Sequence, residues 1–321
     1  MTNSTEWIDS GAVNPNLKAI REHFFTHVSR FFDVDGLPRS DFFEPAICYN
    51  CSSNKIASEF VVARFRHVRC AICGLVYVSP RIRENILHDS YDDEDYTEHY
   101  RLKLIPSLEH RLNVIDQRKY AQIFQYCKRV GKVLDIGCGL GDLLSVFQDN
   151  GWHCLGIEFN KFAAEFAAER FGLEVISTSI FDFETVENQF DCVMLWGVLE
   201  HFTHPQLVLD RVYRLLKPGG FLVMEVPSGD SLLVSYCAIH GGDVDRIIEG
   251  DRHLMLFSVR ALTEMTERAG FQTIHLQSNG LDVDTLLRLE GESCSLVFVA
   301  RLQKEIDDDM RGDLLRGFWR K

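Results

Sequence analysis

Residues 133–142 read Val133-Leu134-Asp135-Ile136-Gly137-Cys138-Gly139-Leu140-Gly141-Asp142. An apolar run leads into a glycine-rich turn, and a helical pattern follows. Glycines at a strand-to-helix junction allow a tight turn and close approach of the backbone to a ligand. A dinucleotide fingerprint reads Gly-x-Gly-x-x-Gly. Here the third glycine arrives one residue early, at Gly141, and Asp142 stands where that fingerprint needs glycine. Asp135 precedes the first glycine. A carboxylate there repels a pyrophosphate but accepts from an ammonium or a hydroxyl. The turn is therefore expected to serve a nucleoside carrying a cationic amino acid rather than a dinucleotide.

Working outward, a second apolar run ends in Gly156-Ile157-Glu158-Phe159. An acid some 20 residues past the turn, at the tip of the next strand, is placed to accept from both ribose hydroxyls. From residue 131 onward, short apolar runs (KVLDIG, HCLGIEF, LEVIST, FDCVMLWG, GFLVMEVP) alternate with helical patterns near 141–150, 160–171, 204–216 and 258–269. Strands and helices in alternation imply βαβ units and a doubly wound, mostly parallel α/β sheet. The segments FQTIHLQS and CSLVFVARL are expected to close that sheet as an antiparallel hairpin. The last residues are expected to form a helical tail.

The chain has 321 residues, with 34 Lys plus Arg against 47 Asp plus Glu, a formal charge of −13. A nucleic-acid-binding surface is usually a basic excess, so the charge weighs against that partner. No apolar run reaches the ~18 residues of a membrane span, and the N-terminus lacks the pattern of a secretory signal. A cytoplasmic protein without a membrane partner is expected.

Cys48-Tyr49-Asn50-Cys51 and Cys70-Ala71-Ile72-Cys73 are separated by 18 residues. Two C-x2-C pairs at that spacing read as a zinc site. Four thiolates close a tetrahedron and leave no position open for substrate, so the metal is expected to be structural. The intervening EFVVARFRHVR alternates like a hairpin, giving a small N-terminal zinc ribbon. The remaining cysteines are scattered among apolar residues, as small buried hydrophobes are.

Together with the glycine turn and Glu158, Phe190-Asp191-Cys192-Val193, Trp196-Gly197-Val198-Leu199-Glu200-His201, Leu216-Lys217-Pro218-Gly219-Gly220, His253-Leu254-Met255-Leu256-Phe257-Ser258 and Ala269-Gly270-Phe271 occur in a familiar order. Over 131–301 the chain resembles class I S-adenosylmethionine-dependent methyltransferases. With Cys70-Ala71-Ile72-Cys73-Gly74-Leu75-Val76-Tyr77-Val78-Ser79-Pro80-Arg81, Tyr91 and Tyr96, the likeness extends to a bacterial group that accompanies polysaccharide or secondary-metabolite biosynthesis, covering about 46–301. The resemblance implies a Rossmann-like, seven-stranded sheet. It divides the chain into an N-terminal helical segment (1–45), a four-cysteine zinc ribbon (46–80), a helical linker or lid (81–130), a cofactor-binding domain (131–301) and a tail (302–321). It also implies that Asp135, Gly137, Cys138, Gly139, Gly141 and Asp142 line the methionine and ribose side of S-adenosylmethionine. Glu158 would hold the ribose, with Phe159 against the adenine. Ser179 and Ile180 occupy the place where the family often has an acid for the adenine amine. Trp196 to Glu200 would lie under the methionine. Tyr91, Tyr96 and Tyr100 are candidate lid residues.

The expected reaction is methyl transfer to a small polar acceptor, a sugar-like molecule or a secondary metabolite, at oxygen, nitrogen or carbon. In-line displacement needs alignment above all, and a hydroxyl acceptor needs a base. His201, at the C-terminal edge of the sheet, is the first candidate; His240 and His253 follow, in a glycine-rich cover at 227–257. Two other readings stand beside this one: an RNA or protein methyltransferase that uses the ribbon for recognition, and a cofactor-binding partner subunit without catalysis. The acceptor and the oligomeric state are not written in the sequence.

Overall fold

The computed structural model describes residues 16–241 and 246–321. Residues 1–15 of the expected N-terminal helical segment, and Gly242 of the expected cover, lie outside the described residues. Among the described residues the first helix is Leu17–Ser29. Five short strands follow: β1 (Phe43–Glu44), β2 (Ile56–Val62), β3 (Phe65–Cys70), β4 (Val76–Val78) and β5 (Arg81–Ile82). Strands β2, β3 and β4 form an antiparallel meander, and β1 pairs with β5. Phe65 of the meander meets Phe32 and Phe43 at ring distances of 5.3 and 6.1 Å, which fixes the N-terminal segment to this sheet.

The linker that follows is helical, as expected, but not uniformly so. Helices Glu84–Ser90, Glu94–His99, Leu108–His110 and Gln117–Cys127 are interrupted by π-helical turns at Tyr100–Leu104 and Arg111–Asp116. Such widened turns re-aim side chains and recur at functional sites.

Residues beyond 131 build the large sheet from β6 (Lys132–Ile136), β7 (His153–Ile157), β8 (Val175–Ile176), β9 (Phe190–Trp196), β10 (Leu216–Pro227), β12 (Gln272–Asn279) and β13 (Leu314–Arg320), with β11 (Met255–Leu256) lying elsewhere. The order is β12-β13-β10-β9-β6-β7-β8. Strands β10, β9, β6, β7 and β8 run parallel, and β13 pairs antiparallel with both β10 and β12. The inner strands are apolar on both faces because helices cover both sides. Val133, Leu134 and Cys192 through Leu195 are fully buried. Helices Asp142–Asp149 and Pro205–Leu215 supply Phe147, Val208, Leu209 and Val212 to the two covering layers.

Two expectations are corrected. CSLVFVARL is not a strand but the start of helix Leu296–Asp308, capped by Ser295, whose hydroxyl accepts from the Phe298 N–H. Its β-branched and aromatic residues favour a strand locally. Yet Leu296, Val297 and Phe298 are 59, 80 and 54% exposed, which an inner strand would not permit. The closing strand is instead β13, inside the segment read as a tail. Leu315, Phe318 and Trp319 there are almost completely buried, so residues 302–321 complete the sheet. The small sheet is also tied to the rest of the chain. Strand β11 pairs antiparallel with β4, so the small sheet reads β11-β4-β3-β2 and takes its fourth strand from 177 or more residues downstream.

Candidate active site and cysteine cluster

The glycine turn sits where β6 meets helix Asp142–Asp149. Gly137, Gly139 and Gly141 all have positive φ (69, 54 and 78°). At Gly141 a Cβ would also stand 2.7 Å from Leu173 and 2.8 Å from Ala167. The turn leaves a cavity of about 590 Å³ at the C-terminal edge of the sheet. That size falls within the ~300–1,000 Å³ of small-molecule sites.

Of the residues expected to bind a cofactor, Asp135, Gly137, Cys138, Gly139, Asp142, Trp196 and Glu200 line this cavity. Gly141 shapes the turn from behind. Glu158 lies under the turn: its carboxylate accepts the backbone N–H groups of Gly139 and Asn160, both at 2.8 Å. It is 6% exposed, and burial raises its pKa despite those two donors. Phe159 packs edge-on against His88 at 4.5 Å. Ser179 accepts from the Phe181 N–H, and Ile180 is buried; neither reaches the cavity. Above the turn stand Tyr96 and Tyr100, with the Tyr100 ring 3.7 Å from where a Gly139 Cβ would be. The Tyr91 hydroxyl instead lies 3.0 Å from His201 Nδ1.

The cavity gathers charges that no local motif announces. Arg111 and Asp116 come from the second π-turn and Lys119 from the helix after it. Arg111 pairs with Asp142 at 2.5 and 2.6 Å. Lys119 lies 4.4 Å over the Trp196 ring, with Arg316 at 5.1 Å. Among the described residues no donor reaches either oxygen of Asp116, nor Oδ1 of Asp135, nor Oε2 of Glu200, although these side chains are 1 to 3% exposed. Burial raises all three: Asp116 to about 7, Glu200 to about 7, and Asp135 well above the carboxylate range. A signal for this set could have come only from the acid and two bases of Arg111-x4-Asp116-x2-Lys119, which resembles any solvated helix face.

The histidines sort differently from the expectation. His201 Nε2 lies 3.1 Å from the Gly197 carbonyl and Nδ1 3.1 Å from the Arg252 carbonyl, and the ring's one N–H serves one of the two. The Tyr91 hydroxyl also lies 3.0 Å from Nδ1. Burial foremost, then the neighbouring His253, pushes its pKa down to about 3. His201 is therefore neutral, with both nitrogens in use. His253 donates from Nδ1 to the Ile247 carbonyl at 2.7 Å, which leaves Nε2 free and 3.9 Å from Glu200. Ligand atoms of Glu200, His201 and His253 all lie within 4.8 Å of one another, a set able to share a proton or hold a cation. His240 stacks on Tyr236 outside the cavity. Away from the glycine turn, the cavity continues past Glu225, Asn279, Gln303 and Arg316, where Arg316 is held 2.5 Å from Glu225.

The four cysteines meet at the end of the small sheet. Cys48 and Cys73 sulfurs are 3.4 Å apart, Cys51 and Cys70 3.5 Å, and all four lie within 4.8 Å of one another. These gaps far exceed the ~2.05 Å of a disulfide. Each pair sits on a tight turn: the Ser52 N–H donates to the Cys48 carbonyl, and the Gly74 N–H to the Cys70 carbonyl.

A family model described as a methyltransferase domain matches residues 107–276. An uncharacterised 37.1 kDa protein from a Streptomyces fradiae transposon is 33% identical over 111 residues, 32% of each chain. The ubiquinone biosynthesis O-methyltransferase of Nitrobacter winogradskyi is 35% identical over 96 residues, 28% of this chain and 36% of that one. The enzyme of the same name from Psychrobacter arcticus is 29% identical over 152 residues, 44% and 58% of the two chains. The chain thus spans between a third and three-fifths of the length of these relatives. Among solved structures, the Burkholderia thailandensis 1,6-didemethyltoxoflavin-N1-methyltransferase, with 1,6-didemethyltoxoflavin and S-adenosylhomocysteine bound, matches 83% of this chain and 99% of its own at 16% identity and a TM-score of 0.51. That likeness concerns the fold.

Proposed function

This chain belongs to the methyltransferase-domain family, and from that premise we propose that it methylates a small polar acceptor held in the cavity beside the glycine turn. It is an S-adenosylmethionine-dependent enzyme. The observation that carries the placement is the set of buried carboxylates, Asp135 foremost, that face the cavity without a donor. An unsatisfied buried carboxylate is costly, and a cationic ligand offsets that cost. The cofactor brings a methyl group on a sulfonium and carries an ammonium and two ribose hydroxyls, so the residues present fit it. Asp135, Gly137, Gly139 and Glu200 would hold its methionyl end. Glu158 would hold the ribose once Tyr96 and Tyr100 lift from the turn.

The acceptor chamber past Trp196 is polar: Glu225, Asn279, Gln303 and Arg316 offer paired charges and amides, and Asn279 Oδ1 is buried without a donor. This supports a sugar-like or similarly hydroxylated acceptor rather than a greasy one. Alignment of acceptor and methyl group supplies much of the rate. The proton released by a hydroxyl or amine passes to His253 Nε2, which has no hydrogen-bond partner among the described residues and lies 3.9 Å from Glu200. His201, the first candidate on sequence grounds, acts as a neutral strut between Tyr91 and the Gly197 carbonyl.

The cysteine cluster supports a structural zinc. Tetrahedral Zn–S bonds of ~2.3 Å place sulfurs about 3.8 Å apart, and these sulfurs lie within that neighbourhood. Four thiolates leave the metal no open position, so it holds the ribbon and takes no part in transfer.

Titration calorimetry with S-adenosylhomocysteine, followed by transfer of labelled methyl groups to fractionated small-molecule, RNA and protein pools, tests the reading. Label in the small-molecule pool is expected. Label confined to RNA or protein, or binding without transfer to any pool, overturns it.

A further inference from the structure

The cavity holds carboxylates beyond the two of the glycine turn, and Asp116 is one of them. Asp116 is 1% exposed and lies on the second π-turn, and neither of its oxygens has a donor among the described residues. Its neighbour Asp142 is satisfied by Arg111 at 2.5 and 2.6 Å, and the Asp116 carboxyl lies within hydrogen-bond reach of Asp142, to which it can give a proton but from which it receives none. Asp135 Oδ1, across the same space, is also without a donor. Two buried acids thus face one cavity and lack the same thing, a hydrogen-bond donor.

Resting on the methyltransferase reading, we propose that Asp116 is a cofactor-binding residue which, with Asp135, receives the α-ammonium of the methionyl end. The cofactor has two cationic centres, and only one answers this need. A sulfonium carries no N–H or O–H and leaves an oxygen lone pair without a donor. An ammonium offers three donors in a compact charge, enough for both carboxylates. Charge-assisted bonds of this kind are about twice as strong as neutral ones. The widened turn supplies the placement: Arg111 at its start pins it to Asp142, and Asp116 at its end is delivered to the cavity.

Two probes separate this role from a structural one. S-adenosylhomocysteine keeps the ammonium and lacks the sulfonium; 5′-methylthioadenosine lacks the whole amino-acid end. In the full-length protein, Asp116→Asn is expected to weaken S-adenosylhomocysteine about 10-fold or more, a charged hydrogen bond's worth, and to leave methylthioadenosine within about 2-fold. Asp116→Ser should behave alike, with thermal unfolding of both variants confirming the fold. Unchanged affinity for S-adenosylhomocysteine overturns the assignment, and so does an equal loss for both probes. If the unmodified protein binds neither probe, the methyltransferase reading falls first, and the failure is told apart by that control.

Discussion

The cysteine cluster and the glycine-turn cavity are both built from buried groups that would repel one another if all were ionised, and the chain resolves them in opposite ways. The sulfurs point at each other, all within 4.8 Å. A single ion completes such a set, and its binding free energy becomes folding free energy. The carboxylates Asp116, Asp135 and Glu200 point instead into about 590 Å³ of shared space. No single ion fills that volume; a molecule does. The first cluster stabilises the fold when complete, whereas the second costs stability until a ligand arrives. Burial of a charge cluster is thus not in itself a sign of function. The direction in which the groups point decides.

The sharpest way to break the comparison is at the sulfurs. Purified protein is expected to carry close to one zinc per chain by elemental analysis, and Cys70→Ser to lose it together with the cooperative unfolding of the ribbon, since structural zinc contributes on the order of 10 kcal/mol. A metal-free protein with the same Tm would dissolve the contrast. Next in size is the histidine assignment. His253→Ala should lower kcat by 10²–10⁴, the usual worth of a general base, while His201→Ala should act mainly through KM by releasing Tyr91. If the larger kcat loss falls on His201, the roles are exchanged. Smaller again is Asp135→Asn. It should weaken S-adenosylhomocysteine by about 10- to 100-fold in calorimetry, as loss of a charged hydrogen bond does, while leaving the Tm of the free protein unchanged or raised. A falling Tm would mean that Asp135 is a structural carboxylate.

The smallest effect is in the pH dependence of stability. Burial raises Glu200 from an ordinary 4.5 to about 7. Below pH 4.5 both folded and unfolded forms are protonated there, and the group contributes nothing. Between 4.5 and 7 the folded protein holds the proton more tightly than the unfolded chain, so stability falls as pH rises. Denaturant unfolding should show this decline flattened in Glu200→Gln. Parallel pH profiles for the two proteins would place Glu200 elsewhere in the charge network.

Legibility from sequence followed the range of the interaction. The glycine turn and the two cysteine pairs are local spacings, and the residues they name lie close together, whereas Glu158 sits under the turn on backbone N–H groups. The parallel strands were readable because their apolar runs are short and regularly interrupted. The far end of the sheet was not. Leu296 to Val299 has the composition of a strand, and only the covering of β13 on both sides decides that 314–320 is the inner one. The cavity's charges were hidden for another reason: Arg111 and Asp116 arrive on a π-turn, which no periodicity marks, and Lys119 on the helix after it. The choice between His201 and His253 turns on which carbonyl each ring faces, and that is a tertiary fact.

The pairing of β11 with β4 also bears on the order of folding. Residues 76–78 and 255–256 are brought together over a loop of more than 170 residues, closed by a two-residue strand. Closure entropy grows only slowly with loop length, but contacts of such high sequence separation slow the search for them. The meander can register early, because its own pairings are local. Its fourth strand waits for the large sheet, because β11 is anchored at Phe257 beside Ser228, just past the end of β10. His253 lies two residues before β11, so the proposed base would take its place among the last parts of the molecule to settle.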